Sequence, residues 1–173
     1  MGFYRGPKVQ RERDSYGEWF KIFRNNTSTG DFFSSANNWA EAYQSNTSDT
    51  NSNKYSILSS WSKFLRNDKY TLKLNYPSLS ITNIWSQTSN PVDSDGSGGV
   101  DGYIGISIGA SNNGWGGLER YDASASSFLD GTLSPQGNWY YAIGANSWGG
   151  TYTFPGPNSP VSLVELWILN QPA

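Results

Sequence analysis

Tyr70-Thr71-Leu72-Lys73-Leu74-Asn75-Tyr76 alternates large apolar with polar side chains for seven residues and stops at Pro77. Successive side chains of a strand point to opposite faces, so Tyr70, Leu72, Leu74 and Tyr76 share one face, opposite Thr71, Lys73 and Asn75. Proline cannot donate to a ladder and ends the run. After a short turn, Ile81-Thr82-Asn83-Ile84-Trp85-Ser86-Gln87-Thr88 supplies an antiparallel partner.

Working outward, residues 18–24 (EWFKIFR) read as a first core strand with apolar side chains on both faces. Residues 102–108, 139–145 and 161–169 add further strands, separated by clusters of Gly, Pro and Asn. One stretch has a helical period. Within 54–66, Ile57, Leu58, Trp61, Phe64 and Leu65 recur at spacings of three and four, with Ser59, Ser60, Ser62 and Lys63 opposite them. Ser52 or Asn53 could cap such a helix, and Asn67 could take a left-handed turn at its end. The polar stretch 25–53 reads as loop, with a short helix where Asn38-Trp39-Ala40-Glu41-Ala42-Tyr43 interrupts it. The expected architecture is mainly β, an antiparallel β-sandwich of jelly-roll or lectin-like type with one packed helix, and a closed barrel as the alternative. Residues 1–17 are expected as an extended N-terminal arm and 18–173 as a single domain.

Composition narrows the function. The chain has eight Trp, eleven Tyr and eight Phe, but no His and no Cys. It lacks the side chains most used for proton transfer near neutral pH, for thiol nucleophiles and for zinc or iron ligation. Binding is favoured over catalysis, and the expectation is a protein that is not an enzyme. Paired carboxylates could still hydrolyse glycosides, so a carbohydrate-active enzyme is the remaining alternative, with Glu119, Asp122, Asp130 and Glu165 as its carboxylates and Asp93, Asp95 and Asp101 as a second group. Without disulfides, stability must come from packing, hydrogen bonding or association. No run approaches the roughly twenty apolar residues that span a bilayer, and MGFYRGPKVQRERDS lacks the apolar core of a secretory signal. If Met1 is the native start, a leaderless protein with this recognition-type composition is expected on a virus particle, so the expected location is the virion.

Charge is divided along the chain. Residues 1–73 carry eleven Lys or Arg against seven Asp or Glu, and residues 74–173 carry Arg120 alone against seven acids. That asymmetry suits head-to-tail contact between copies, and a homo-oligomer is expected; alternatively, the fold interleaves the two parts and neutralises them internally. The arm offers Phe3 and Tyr4 as apolar pegs and Arg5, Arg11 and Arg13 as carboxylate forks for anchoring to another virion protein. Nucleic acid is not an expected partner, because Glu12 and Asp14 offset the arm's charge and the domain is acidic.

Three loops hold the candidate binding residues. Pro91-Val92-Asp93-Ser94-Asp95-Gly96-Ser97-Gly98-Gly99-Val100-Asp101 places Asp93, Asp95 and Asp101 in a glycine-rich segment, which calcium could use as oxygen ligands. The EF-hand pattern is not met, since the twelfth position from Asp93 is Ile104 rather than Glu, and an acidic solvated loop is the alternative. Asn113-Gly114-Trp115-Gly116-Gly117 and Asn146-Ser147-Trp148-Gly149-Gly150-Thr151-Tyr152 each set an indole among Gly and Asn. Exposed, Trp115 and Trp148 would stack on the apolar face of a sugar while Asn113, Asn146 and Tyr152 bond its hydroxyls. Buried, each is a core anchor with glycines making room for it.

The stretches NIWSQTSNP (83–91), GWGGLERY (114–121), FLDG (128–131), WYYAIGA (139–145) and VELWIL (164–169) together resemble a β-rich module of virion surface proteins. Phage fibre and decoration proteins carry it, as do some extracellular animal proteins, and the resemblance covers residues 18–169. It implies a non-enzymatic, surface-displayed adhesion or structural domain. The expected function is a fibre or receptor-binding protein recognising a host surface glycan through aromatic loops, or a capsid decoration protein anchored by its arm.

Overall fold

The computed structural model describes residues 7–31, 33, 40–92, 100–111, 114–120, 128–132, 143, 154–155 and 160–170. The alternating run forms strand β4 (Tyr70–Tyr76), and β5 (Ile81–Gln87) pairs with it in full register from Tyr70 opposite Gln87 to Tyr76 opposite Ile81. Pro77–Leu79 makes a single 3-10 turn between them, closed by Ser80 in the left-handed region. Chain order then departs from spatial order. The main antiparallel sheet has seven strands, running β1 (Arg11–Asp14), β2 (Gly17–Asn26), β11 (Leu163–Asn170), β4, β5 and β6 (Ile104–Ile108), with β3 (Lys54–Ser56) added to the far end of β2.

Strand β11 lies between β2 and β4, and the two faces of the sheet follow from its side chains. Val164, Leu166 and Ile168 point to one face, where they meet Phe23, Leu72 and Leu74. Trp167 and Leu169 point to the other, where they join Trp19 and Ile84 in a second apolar cluster. Both faces of the strand are therefore dry, as the continuous apolar run of β11 requires. A register shift at Leu166/Trp167 sets one step of β11 against two of β2, so that β2 serves both faces: Trp19 in one cluster, Ile22 and Phe23 in the other.

Among the described residues, three small elements cover the first face. A 3-10 helix, Leu58–Phe64, lays Trp61 against Tyr70 with ring centroids 5.6 Å apart. A one-turn helix, α1 (Ala40–Tyr43), brings Tyr43 to Phe128 at 4.8 Å. A two-stranded sheet of β7 (Trp115–Arg120) and β8 (Leu129–Thr132) places Trp115 edge-on to Trp85, also at 4.8 Å. Two short strands, β9 (Phe154–Pro155) and β10 (Pro160–Val161), pair with each other. The result is mainly β, antiparallel and sandwich-like.

Two expectations change. The segment expected as a 54–66 helix begins as strand, because Lys54, Tyr55 and Ser56 pair with Asn25, Arg24 and Phe23. Only Leu58–Phe64 is helical, and in the tighter 3-10 form, whose three-residue repeat still buries Leu58 and Trp61 on one side. Asn67 does take the left-handed conformation, with Asp68, in the tight turn that bridges Arg66 to Lys69. The expected arm is extended, but residues 11–14 of it form edge strand β1 of the sheet. Asp14 accepts a bond from the Tyr16 amide, and Gly17, at φ 138°, closes the hairpin in a conformation that only glycine adopts readily. Upstream, the Tyr55 hydroxyl donates to the Lys8 carbonyl at 2.7 Å and the Lys8 amide to Thr47, so Lys8 is held at both backbone groups.

Beside the Trp85–Trp115 contact, the buried side chain of Gln87 hydrogen-bonds the small sheet to the large one. Between Trp115 and Glu119, β7 bulges away from β8, which turns the amide and carbonyl of Leu118 towards Gln87. The buried Gln87 accepts from the Leu118 amide (3.1 Å) and the Trp85 indole (2.8 Å), and donates to the Leu118 carbonyl (2.9 Å) and to Ser89. Gln87→Leu keeps the volume and leaves three buried polar partners unsatisfied. At about 1–3 kcal/mol for each such group, partly relieved by relaxation, the substitution is expected to destabilise the fold by roughly 3 kcal/mol, read as a lowered midpoint in urea unfolding with an unchanged slope.

Candidate functional site

The sequence-derived ligand residues fall in two groups. Trp148, Asn146, Tyr152 and Asn113 lie outside the described residues, as do Trp39 and Asp122. Trp115 is described and is not a platform: it is 4% exposed, packed edge-on against Trp85. The glycines beside it serve close approach. Gly117, at φ 105°, would place a Cβ 2.9 Å from Val100 and 3.1 Å from the Gln87 amide oxygen, so any side chain there would push the two sheets apart. Among the described residues every tryptophan is interior: Trp19, Trp61, Trp85, Trp115 and Trp167.

Of the candidate calcium ligands, Asp93 and Asp95 lie outside the described residues. Asp101 is exposed, and its backbone is tied to the end of β5, its carbonyl accepting from Thr88 and its amide donating to the Ser89 hydroxyl. No group of three or more acidic side chains able to hold a metal occurs among the described residues.

The anchoring residues Phe3, Tyr4 and Arg5 are likewise outside the described residues. Arg11 and Arg13 stand on β1, whose four residues are all exposed. Arg11 lies over the Phe20 ring at 5.1 Å and 3.7 Å from the Glu18 carboxylate, a solvent-facing pair of small energetic weight. Both arginines are presented at the sheet margin.

Of the carboxylates that an enzyme would need, Asp122 lies outside the described residues and Glu165 is engaged in ion pairs. Glu165 lies 2.7 Å from Lys21 and 3.6 Å from Arg24. Glu119 is opposite Asp130 in the β7–β8 register, yet it is only 4% exposed. A glycosidase places its pair on either side of a bond in a bound sugar, and Glu119 presents no such accessible carboxyl.

What the alternation did not reveal is the second face of the sheet. Lys73 and Lys21 belong to the polar phase of their strands, but both are buried, at 6% and 3% exposure. The Lys73 ammonium stands 4.7 Å from the Trp19 ring and 5.2 Å from the Trp167 ring, with Glu12 at 2.7 Å and Asp14 at 3.6 Å; the Lys21 ammonium lies 5.0 Å from the Trp167 ring. Ring faces and carboxylates together replace water around each cation. The sequence signal was the i, i+2 pair Trp19 and Lys21, which must share a face.

Two carboxyls are held below their ordinary value. Burial pushes Asp14 up, but the Trp19 indole, the Tyr16 and Gly17 amides and the Lys73 charge outweigh it and lower it. Asp31 is lowered by the Thr29 hydroxyl, then by the Asn53 amide. By contrast, burial raises the Tyr55 and Tyr103 phenols.

Compared with known proteins, the chain matches no family model, no curated protein and no solved structure.

Glu165→Gln leaves the buried Lys21 without its counter-ion and is expected to cost about 3 kcal/mol, at the lower end for breaking a buried pair because Glu165 keeps some exposure; thermal unfolding measures it. The acid limb follows from the two lowered aspartates. Their contribution is fully present above the ordinary value of 3.8 and is lost as pH falls through the lower folded values. Asp14→Asn should therefore flatten the loss of stability below about pH 4, followed by circular dichroism.

Proposed function

We propose that the chain is a non-enzymatic surface component of a virion, acting by contact: a decoration- or fibre-type module that binds other virion proteins. The single observation that carries this reading is where the chemistry of the described residues goes. Indoles and basic groups, the usual means of gripping a small ligand, are turned inward to seal two faces of one sheet. Outward lie strand margins, one of them presenting two arginines. A rigid sheet with engaged charges and accessible margins suits a protein that adheres to neighbours. The composition, without His or Cys, points the same way.

Between the two forms of the reading, the burial of Trp115 favours anchoring over glycan stacking, since it removes one of the two proposed sugar platforms. Recognition of a host surface glycan rests on Trp148, with Asn146 and Tyr152 beside it, and on calcium only if Asp101 is joined by Asp93 and Asp95.

Mass spectrometry of purified particles from the producing host should find the chain as a stoichiometric component. Arg11→Glu with Arg13→Glu should reduce its retention on those particles at least tenfold in a co-sedimentation assay while the unfolding midpoint stays put, because both side chains are exposed. Absence from the particles sinks the proposal. Binding on a glycan array that disappears in Trp148→Ala would instead select the receptor-binding form.

A further inference from the structure

The main sheet ends in two unlike margins. On one side β1 reads Arg-Glu-Arg-Asp, every residue exposed, the charged and short kind of edge that resists pairing with another chain. On the other side β6 reads Ile-Gly-Ile-Ser-Ile, with residues 104 to 107 exposed; Ile104 is 51% and Ile106 43% accessible. Among the described residues, β6 pairs with β5 and with nothing else. Among the described residues its outer row of backbone amides and carbonyls, bent at Ile106 where the register with β5 shifts, is an open template for a further strand.

The sequence around β6 says which strand fits. From Gly102 to Leu118 there is no Asp, Glu, Lys or Arg. An edge with no charge has nothing with which to select a charged partner strand, and nothing with which to repel itself. The nearest charge is the exposed Asp101, at the start of the segment. In a parallel pairing of two copies, the two Asp101 side chains would lie on neighbouring strands about 4.8 Å apart. In an antiparallel pairing centred near Ile106 they lie at opposite ends, on the order of 30 Å apart. That arrangement is two-fold symmetric, and so closes at two copies.

We infer that β6 is a self-association edge: two copies of this chain pair antiparallel through Ile104–Ile108, joining their main sheets into one and covering Ile104 and Ile106. The inference does not depend on where the chain is displayed. It makes the dimer, rather than the monomer, the unit whose opposite margins carry the arginines of β1.

Light scattering on the size-exclusion peak tests it directly. The chain should elute at twice its own mass at micromolar concentration. Ile104→Lys with Ile106→Lys, both at exposed positions, should shift it to a monomer with unchanged circular dichroism and unfolding midpoint. The chain has no cysteine, so Ser107→Cys gives a single handle beside the two-fold. A short bis-maleimide should cross-link that variant efficiently, and the Asp101→Cys variant at least tenfold less. A wild-type monomer, a dimer that survives the double lysine substitution, or cross-linking at position 101 as strong as at 107 would each overturn the inference.

Discussion

The fold depends on placing its last strand first in importance. β11 is the C-terminal strand, yet it lies at the centre of the sheet, with β2 from the beginning of the chain on one side and β4 on the other. Without it, β1, β2 and β3 have no contact through the ladder with β4, β5 and β6. Its eight residues bury Val164, Leu166 and Ile168 on one face and Trp167 and Leu169 on the other. A chain that must close a loop of more than a hundred residues before its core can form has most of its stabilising contacts at long sequence separation, and such topologies fold slowly. The same insertion brings opposite charges from the two parts of the chain together. Glu165 comes from the acidic part of the chain, and β11 delivers it to Lys21 and Arg24 in the basic part. There, one acid of the acidic part meets two bases of the basic part within one molecule.

The second face of the sheet shows how a chain with few aliphatics and no disulfide keeps a strand dry on both sides. Trp19 and Trp167 supply large flat areas, but two rings do not tile a strand surface. Lys73 and Lys21 fill the gaps with their methylene stems and set their ammonium groups against ring faces. Each cation then needs a carboxylate, and Glu12, Asp14 and Glu165 provide it. Two of those three come from edge strand β1. The hairpin that looks from its sequence like a detached basic arm is thus part of the electrostatics of the centre.

Much of this was legible. The alternation at 70–76 and 81–88 marks β4 and β5 to within a residue, because a run of period two bounded by Pro has few other readings. The apolar text at 18–24 and 161–169 marks β2 and β11 as strands, the first with apolar side chains on both faces. The helical period at 54–66 misled for a physical reason: a stripe at spacings of three and four is shared by α and 3-10 geometry, and the pairing of Lys54, Tyr55 and Ser56 with β2 is a tertiary fact that outweighs local propensity. Strand order, too, is absent from the text, since nothing in residues 163–170 says which two strands they will separate.

The candidate site was less legible, and Trp115 shows why. An indole flanked by glycines can be a ring presented to solvent or a ring allowed deep into a core, because small neighbours are needed in both cases. What decides is the distance to the next layer. At Gly117 that distance is below the reach of a Cβ, with Val100 and Gln87 on the other side, and a glutamine thirty residues away in sequence completes the bonding of the bulge. The glycines of the second Trp-Gly-Gly stretch, Gly149 and Gly150, have the same two possible explanations. Local composition therefore constrains how closely a backbone can be approached, and it leaves to topology the question of whether the approaching group is the protein's own strand or a ligand.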